Sequence, residues 1–579
     1  MNDVLVNIQC AIAKLTASGA DFEVVKETVN GSPADVYKTA PASLRDVYGL
    51  CLAHGSKTFI VYQQQRLSFN ETYAKAADLA AALAKDFGVV KGDRVAIAMR
   101  NNPEWALAFM AITALGAIAV PMNAWWTSEE LKYGIEDCGA RVLVADEQRV
   151  DRVNSFSREM GLSLICVGED VAANDDGKLF TFAEVINRYP KSVMPTVAIA
   201  TDDDATILYT SGSSGYPKGV VASHRGILTA MISWVLLGVA TTEAGEAHED
   251  APAAEDAVAL LTVPLFHVTG CHSLFLLSIL IGRKLVMMYK WDANKALALI
   301  EREGITYVNG VPTISQELLD AAESTDRDIS SLKELFSGGA ARPAEHVRRI
   351  AEDFKLNPGS GYGLTETNAL GAVNAGKNYI QNPGSVGIPS PAVTEIKIIG
   401  ESGECVSVGE RGEICIKSPA NARGYWNRPE ATAEAFKNGW FHTGDVGYLD
   451  GDGMLFIVDR IKDIIIRGGE NISCGEVEAG IYAYPGVAEV AVFSLPDERL
   501  GEVCAAVIYM KKDQLVSEPE LREFLKGQLA AYKIPAHIEF SDSPLLKTAT
   551  DKIFKREIKE MLVARLHQGD SDPKSTSAA

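Results

Sequence analysis

From residue 43 to about 200, helical patterns such as 69–87 and 128–138 alternate with short apolar stretches such as 94–98, 117–121 and 141–145. A short apolar stretch can bury both faces only if helices cover it, and successive helices must return the chain to the same sheet edge. The alternation therefore predicts an α/β fold built on a mostly parallel sheet with crossover helices. At 579 residues the chain exceeds what one core supports, so more than one domain is expected. The texture changes near Arg460, where Arg460-Ile-Lys-Asp-Ile-Ile-Ile-Arg-Gly-Gly469 leads into a shorter mixed region with strands over 487–493 and 503–510 and helices over 518–531 and 555–565. We expect a leader (1–45, a strand and a helix), a large α/β region (46–460), a small α+β domain (461–567) and a disordered tail (568–579). Residues 241–256, rich in Ala, Glu and Asp, read as an acidic solvated loop inserted in the large region. The run 105–122 lacks charge, but Gly116 and Pro121 interrupt it, so it reads as a buried helix followed by a buried strand rather than a membrane span.

Residues 209–220, Tyr-Thr-Ser-Gly-Ser-Ser-Gly-Tyr-Pro-Lys-Gly-Val, lie between two such apolar segments. Gly212 and Gly215 let the backbone approach an anion, Thr210, Ser211, Ser213 and Ser214 add hydroxyl donors, and Lys218 supplies a point charge. The run differs from the Walker loop, which needs Gly-Lys-Ser/Thr opening a helix, because Pro217 precedes this lysine and Gly219 follows it. Polyphosphate binding is the expectation, with kinase, ATPase and ligase open at this point. With 55 Lys+Arg against 76 Asp+Glu the net charge is -21, which disfavours nucleic acid and anionic membranes as partners. The 9 cysteines lack metal-ligand spacing, which fits free thiols in a reducing compartment, and no targeting signal is read at either end. A cytoplasmic protein is expected.

Further along stand Tyr362-Gly-Leu-Thr-Glu-Thr367, His442-Thr-Gly-Asp445, Asp459-Arg-Ile-Lys-Asp463, Gly468-Gly-Glu-Asn-Ile-Ser473 and Lys547-Thr-Ala-Thr-Asp-Lys-Ile553. In this order and spacing they resemble the adenylate-forming superfamily of acyl-CoA synthetases, adenylation domains and luciferases, over about 43–560. The residues make chemical sense in that light. Tyr362 can stack on adenine, Thr365 can bond a phosphate and Glu366 is a hard oxygen ligand suited to the Mg2+ of MgATP, and the resemblance counts Gly363 among the nucleotide-binding residues. Asp445 offers a carboxylate to the ribose hydroxyls, with Arg460 as a second polar contact. The resemblance gives Lys552 the central role in the first half-reaction, bridging the attacking carboxylate and the α-phosphate, where an ammonium offsets the meeting of two anions. It further implies a small mobile C-terminal domain that swings about a hinge at Lys462 between two chemistries, with Gly468 and Gly469 beside the pantetheine arm of CoA. Gly338, Gly339 and Ala340, within Ser337-Gly-Gly-Ala340, resemble the segment that forms an adenine edge and one wall of the acyl site.

The chain departs from the pattern at Asp551, where glycine is usual, and at Cys474, where proline is common. Asp tolerates left-handed backbone, but a carboxylate there could draw Lys552 away. Cys474 is read as structural. Pro264-Leu-Phe-His-Val-Thr-Gly270 resembles the acyl-pocket motif of fatty and aryl acyl-CoA ligases, with His267 gating the acyl carbonyl. A metal or nucleophile site at His267, Cys271 and His272 is disfavoured by the apolar flanks. The resulting expectation is an AMP-forming carboxylate:CoA ligase for a medium- or long-chain fatty acid or related bulky hydrophobic acid, using ATP, Mg2+ and CoA. The resemblance leaves a homodimer open, and its alternatives are transfer to a carrier protein, β-lactone formation, or a weakly active regulatory homologue.

Overall fold

The computed structural model describes all residues except 1–2, 169–176, 211–215, 248–249, 251, 254–255, 341, 468–469, 513, 550 and 570–579. The chain divides into two compact units, the first comprising Met1–Lys397, Cys415–Thr443 and Gly451–Leu455, the second Ile398–Ile414, Gly444–Asp450 and Phe456–Ala579.

In the first unit the predicted alternation produces two large sheets. An 8-stranded sheet runs in the order Gly424–Tyr425, Lys218–Ser223, Asp204–Thr210, Ile118–Pro121, Arg94–Ala98, Val142–Asp146, Ser163–Val167, Leu179–Thr181. A 9-stranded sheet runs Ile388–Pro389, Ala372–Ala375, Asn357–Tyr362, Glu334–Gly338, Tyr307–Gly310, Val258–Leu261, Lys284–Met287, Thr58–Tyr62, Gln65–Ser68. Each is parallel through its middle and antiparallel at one edge or both. The apolar run resolves as the buried helix Pro103–Ala114 followed by the buried strand Ile118–Pro121. Trp105, Phe109 and Phe275 pack ring against ring there, joining this helix to the segment after Val258–Leu261. A helix covered on all sides can be apolar all round, which is why its composition mimics a membrane span. Among the described residues one helix, His224–Glu243, is long and apolar enough to cross a membrane; half of its most apolar stretch is buried.

Several local expectations change. The leader is a helix, Asp3–Leu15, followed by an antiparallel hairpin, Val24–Val29 with Ser32–Tyr37, because Asn30-Gly31 supplies two successive positive-φ positions for a tight turn. Ile8, Ala11 and Ile12 of that helix pack with Leu236 and Ala240. The expected acidic loop begins later, since His224–Glu243 carries helix past residue 241. Residues 568–569 of the expected tail belong to the helix Lys555–Gly569, and the rest lie outside the described residues.

The second unit holds a 5-stranded sheet in the order Glu470–Ser473, Ile464–Arg467, Gly501–Met510, Val487–Asp497, with His537–Ser541 parallel to Gly501–Met510. The helix expected over 518–531 stops at Lys526, and a 3-10 turn, Ala531–Lys533, follows. Helices Cys474–Tyr482 and Glu518–Lys526 bury Val477, Ile481, Leu521 and Leu525 on one face of the sheet, and Ile558 and Leu562 pack with Phe493 and Val503. Alternation along one strand thus feeds two small cores, as an α+β domain requires.

One buried carboxylate joins distant parts of the first unit. Asp137, at the end of helix Ser128–Cys138, accepts from Tyr209 Oη at 2.7 Å and from Arg428 Nη2 at 2.8 Å. Its backbone carbonyl accepts from Trp426 Nε1 at 3.0 Å and Asn427 Nδ2 at 3.2 Å. Asp137→Ala strands the Tyr209 hydroxyl and the Arg428 guanidinium, and we expect a loss of about 2 kcal/mol. The check is thermal unfolding: the apparent midpoint should fall by several degrees, and less in Asp137→Asn, whereas a midpoint equal to the wild type would remove Asp137 from this role.

Candidate active site

The first unit gathers most of the sequence-predicted residues at the carboxyl ends of its parallel strands, the edge where open α/β sheets bind ligands. Thr210 and Lys218 are register partners that close the hairpin, with Thr210 Oγ1 donating to the Lys218 carbonyl at 3.4 Å. Ser211, Gly212, Ser213, Ser214 and Gly215 lie outside the described residues. The arm of the loop nearest Lys218 is held by Tyr133, whose hydroxyl donates to the Pro217 carbonyl at 3.0 Å and whose ring stacks on Tyr216 at 4.5 Å.

Gly338 ends strand Glu334–Gly338, Gly339 and Ala340 follow it exposed, and Tyr362 ends the neighbouring strand with its side chain buried. After Tyr362 the chain folds back on itself. The Ala369 amide donates to the Leu364 carbonyl at 2.8 Å, and a Cβ on Gly363 would sit 2.4 Å from the Ala369 backbone, so only glycine fits there. The turn uses left-handed backbone at Asn368 (φ 53°) and Ala369 (φ 61°), the second costly for a residue with a Cβ. It leaves Thr365 half-buried and Glu366 buried.

Sequence reasoning missed Tyr425. Its hydroxyl donates to Glu366 Oε1 at 2.9 Å, and the Lys218 ammonium sits 5.0 Å over its ring. One side chain therefore positions Glu366, the proposed metal ligand, with its edge and Lys218, the proposed phosphate ligand, with its face. Burial first, then the Glu366 charge, raises the Tyr425 hydroxyl well above its usual range, so it stays a donor. Nothing in the sequence flagged it, because Tyr425 lies 59 positions from Glu366 in a two-residue edge strand. The donor set fits MgATP: a buried hard carboxylate oriented by a hydroxyl, a lysine beside a hydroxyl-bearing loop, and the buried Ser337 hydroxyl, which has no hydrogen-bond partner among the described residues, at the start of the adenine-edge segment.

His267 lies at the turn before a π-helix, Thr269–Leu276. Its amide donates to the Pro264 carbonyl at 3.1 Å and its carbonyl accepts from Cys271 N at 2.8 Å. A Cβ on Gly270 would lie 2.3 Å from that same Pro264 carbonyl, which makes Gly270 a condition of the turn. Buried Asn101 clamps the approach, donating to the Val263 carbonyl at 3.1 Å and accepting from Leu265 N at 2.9 Å. Neither ring nitrogen of His272 has a hydrogen-bond partner among the described residues, and complete burial lowers its pKa to about 3. Burial likewise raises the Cys271 thiol. A neutral imidazole and an un-ionised thiol suit packing rather than nucleophilic chemistry.

The second unit brings Asp445, Arg460 and Lys552 together. Asp445, buried on strand Trp440–Leu449, pairs with Arg460 Nε at 3.2 Å. The Lys552 ammonium has its pKa lowered to about 8, by loss of solvent first, then by repulsion from Arg460, with Asp445 pulling the other way. Lys552 sits on a closed turn in which Thr548 N donates to the Lys552 carbonyl at 2.7 Å and Asp551 N to the Thr548 carbonyl at 2.9 Å. Asp551 takes left-handed backbone there (φ 62°), the conformation glycine would supply, and its carboxylate stands 3.7 Å from Lys547 Nζ. The thiol of Cys474 donates to the Asp463 carbonyl at 2.8 Å, tying the first turn of its helix to the 3-10 turn Ile461–Asp463. Lys462 falls in the 3-10 turn Ile461–Asp463, and Gly468 and Gly469 lie outside the described residues.

The AMP-binding enzyme family model matches residues 51–426, and the AMP-binding enzyme C-terminal domain matches 476–552. The chain is 37% identical to a feruloyl-CoA synthase of Amycolatopsis sp over 84% of its own length and 93% of that protein. It is 33% identical to the long-chain-fatty-acid–CoA ligase FadD13 of Mycobacterium tuberculosis, covering 87% and 95% of the two chains. Among solved structures, o-succinylbenzoate coenzyme A synthetase of Bacillus subtilis in complex with ATP and magnesium superposes with a TM-score of 0.76 at 28% identity, over 90% of this chain and 100% of that one.

Two measurements probe these assignments. Tyr425→Phe removes the donor to a buried carboxylate, worth about 1.5 kcal/mol, so the KM for MgATP should rise roughly tenfold with the fold intact; an unchanged KM would detach Tyr425 from the site. The free-enzyme Lys552 is charged below about pH 8 and loses its proton above it, so kcat/KM for acid-dependent pyrophosphate exchange should fall as pH rises through about 8. In Lys552→Arg, which stays charged, the slower residual exchange should lack that alkaline limb.

Proposed function

The chain belongs to the AMP-binding enzyme family, in the acyl-CoA synthetase branch of the adenylate-forming enzymes, and is an AMP-forming acid–CoA ligase that uses ATP, Mg2+ and CoA; we propose that its acid is bulky and largely apolar, a fatty or aryl-substituted carboxylate. In the first step a carboxylate oxygen attacks the α-phosphorus, the bond to pyrophosphate breaks, and an acyl-adenylate forms. In the second the CoA thiolate attacks the acyl carbonyl and AMP leaves with the bonding pair.

We assign the residues roles on that scheme. Lys552 offsets the repulsion between the carboxylate and the α-phosphate, as an ammonium placed where charge builds at phosphorus should. Its lowered pKa, set by partial burial and by repulsion from Arg460, fits an ammonium that water does not fully solvate before substrate arrives. Glu366 would hold Mg2+, held in place by the Tyr425 hydroxyl, and Lys218 the departing pyrophosphate. When bound, Mg2+ supplies charge neutralisation across the phosphates. Asp445 takes the ribose hydroxyls and Tyr362 the adenine, while His267 borders the acyl carbonyl.

The observation that carries the substrate reading is the apolar, acid-free segment around His267. Leu265, Phe266, Val268 and Cys271 are buried, His272 is neutral, and residues 264–271 include no acidic side chain that could hold a substrate ammonium. The similarity to both a feruloyl-CoA synthase and a long-chain-fatty-acid–CoA ligase agrees with an apolar body of either shape. A reducing compartment fits the cysteines, all of them free thiols.

The test is AMP formation across acids of graded length and aromaticity, with and without CoA. Each methylene withdrawn from water contributes roughly 0.8 kcal/mol, so kcat/KM should climb steeply from acetate to longer or aryl acids. Preference for acetate or for an amino acid would overturn the substrate class. Lys552→Ala should abolish pyrophosphate exchange for every acid in the series.

A further inference from the structure

Helix Ser128–Cys138 carries Tyr133 and Asp137 four positions apart, so both project from one face, about 6 Å apart along the axis. Each meets one shoulder of the phosphate hairpin. Asp137 accepts from the Tyr209 hydroxyl at 2.7 Å on the incoming strand, and the Tyr133 hydroxyl donates to the Pro217 carbonyl at 3.0 Å just ahead of the outgoing one. Tyr209 and Pro217 each stand one position before a member of the Thr210–Lys218 pair that closes the hairpin. One helix face therefore grips both strands next to the point where they part.

Arg428 joins the two grips. Its Nη2 donates to Asp137 Oδ1 at 2.8 Å and to Tyr133 Oη at 3.1 Å, so the phenol oxygen accepts from a cation while its own proton goes to Pro217. Accepting from a cation polarises the phenol and strengthens its donation. Proline has no N–H, so the carbonyl is the one backbone hydrogen-bonding group of Pro217, and it shares a rigid peptide plane with the Lys218 nitrogen. Fixing that carbonyl fixes where Lys218 begins, and from there its ammonium reaches to 5.0 Å over the Tyr425 ring. The Tyr133 ring also stacks on Tyr216, centroids 4.5 Å apart and planes 21° apart, although Tyr216 is 70% exposed. One residue thus holds the two positions ahead of the lysine, the first through its ring and the second through its hydroxyl.

We propose that Tyr133, oriented by Arg428, is a positioning residue for the first half-reaction: it sets where the Lys218 ammonium stands against the pyrophosphate as it leaves. This rests on the reading that Lys218 holds that pyrophosphate. Tyr133 itself touches no phosphate. Breaking the bond at the α-phosphorus moves the bonding pair onto the departing pyrophosphate, and a cation already in place needs no reorganisation as that charge grows. Thioester formation begins after pyrophosphate has gone, so it does not draw on this tie.

The experiment compares the full chain with Tyr133→Phe, Arg428→Met, their double variant and Lys218→Ala in three assays: acid-dependent pyrophosphate exchange, inhibition by pyrophosphate and by AMP, and thioester formation from a prepared acyl-adenylate and CoA. Tyr133→Phe keeps the ring and its stack and removes only the hydroxyl. Its kcat/KM for MgATP in exchange should fall about fivefold, as for one lost hydrogen bond, and pyrophosphate should inhibit more weakly by a similar factor. Inhibition by AMP and thioester formation from the acyl-adenylate should stay at wild-type values, which also reports that the variant folds. In the Arg428→Met background the same change should cost less than about twofold, because the two side chains act as one chain of hydrogen bonds. Wild-type exchange in Tyr133→Phe, an equal loss in both half-reactions, or an undiminished effect of Tyr133→Phe in the Arg428→Met background overturns the proposal. Undiminished exchange in Lys218→Ala overturns the reading of Lys218 instead.

Discussion

The first unit turns on the Asp137 carboxylate, because it fixes where three segments far apart in sequence meet. Tyr209 belongs to the strand leading into the phosphate loop, and Trp426, Asn427 and Arg428 follow the short edge strand that pairs with the strand leading out of it. A charge removed from water must be met by donors, and those donors come from both arms of the hairpin's surroundings. With that meeting fixed, Tyr425 is placed one position before Trp426, where its ring lies under Lys218 and its hydroxyl reaches Glu366. The separation between Lys218 and Glu366, the residues proposed to hold phosphate and metal, is thus set by one phenol, and the phenol by a buried acid.

Much of the architecture was legible because the strands announce themselves: 94–98 and 128–138 are a strand and a helix to the residue. Buried parallel strands read as continuous apolar runs, and a helix that opens on Thr127 with Glu130 three positions later carries its own capping box. The site motifs were legible for a similar reason, since glycines and fixed charges leave few alternatives. What could not be read were contacts that depend on folding. Tyr425 and Asp137 are ordinary residue types in ordinary settings, and only tertiary approach gives them roles. The leader was only partly read: its helix carries an apolar face of Leu5, Ile8, Ala11 and Ile12 that packs on His224–Glu243, whereas the strands flanking Asn30-Gly31 show weak alternation, so the hairpin went unread.

Asp551 shows how a motif can change its letters and keep its geometry. The turn before Lys552 requires left-handed backbone, which aspartate reaches at modest cost. Its carboxylate stands near Lys547, which also meets Glu489 at 3.0 Å. A substitution that reads as a disruption in one dimension becomes, in three, one more pin on the same turn.

The π-helix Thr269–Leu276 has a consequence for how such a pocket changes over generations. A π-turn carries one residue more than an α-turn, and such turns are common at functional sites. Losing a single codon there would restore ordinary pitch while leaving the flanking turns roughly in register, so the change would fall on the side chains of the turn itself, next to His267. A lineage bearing this wide turn therefore holds a one-residue length change that can alter the surface next to His267 while the surrounding fold stays in place.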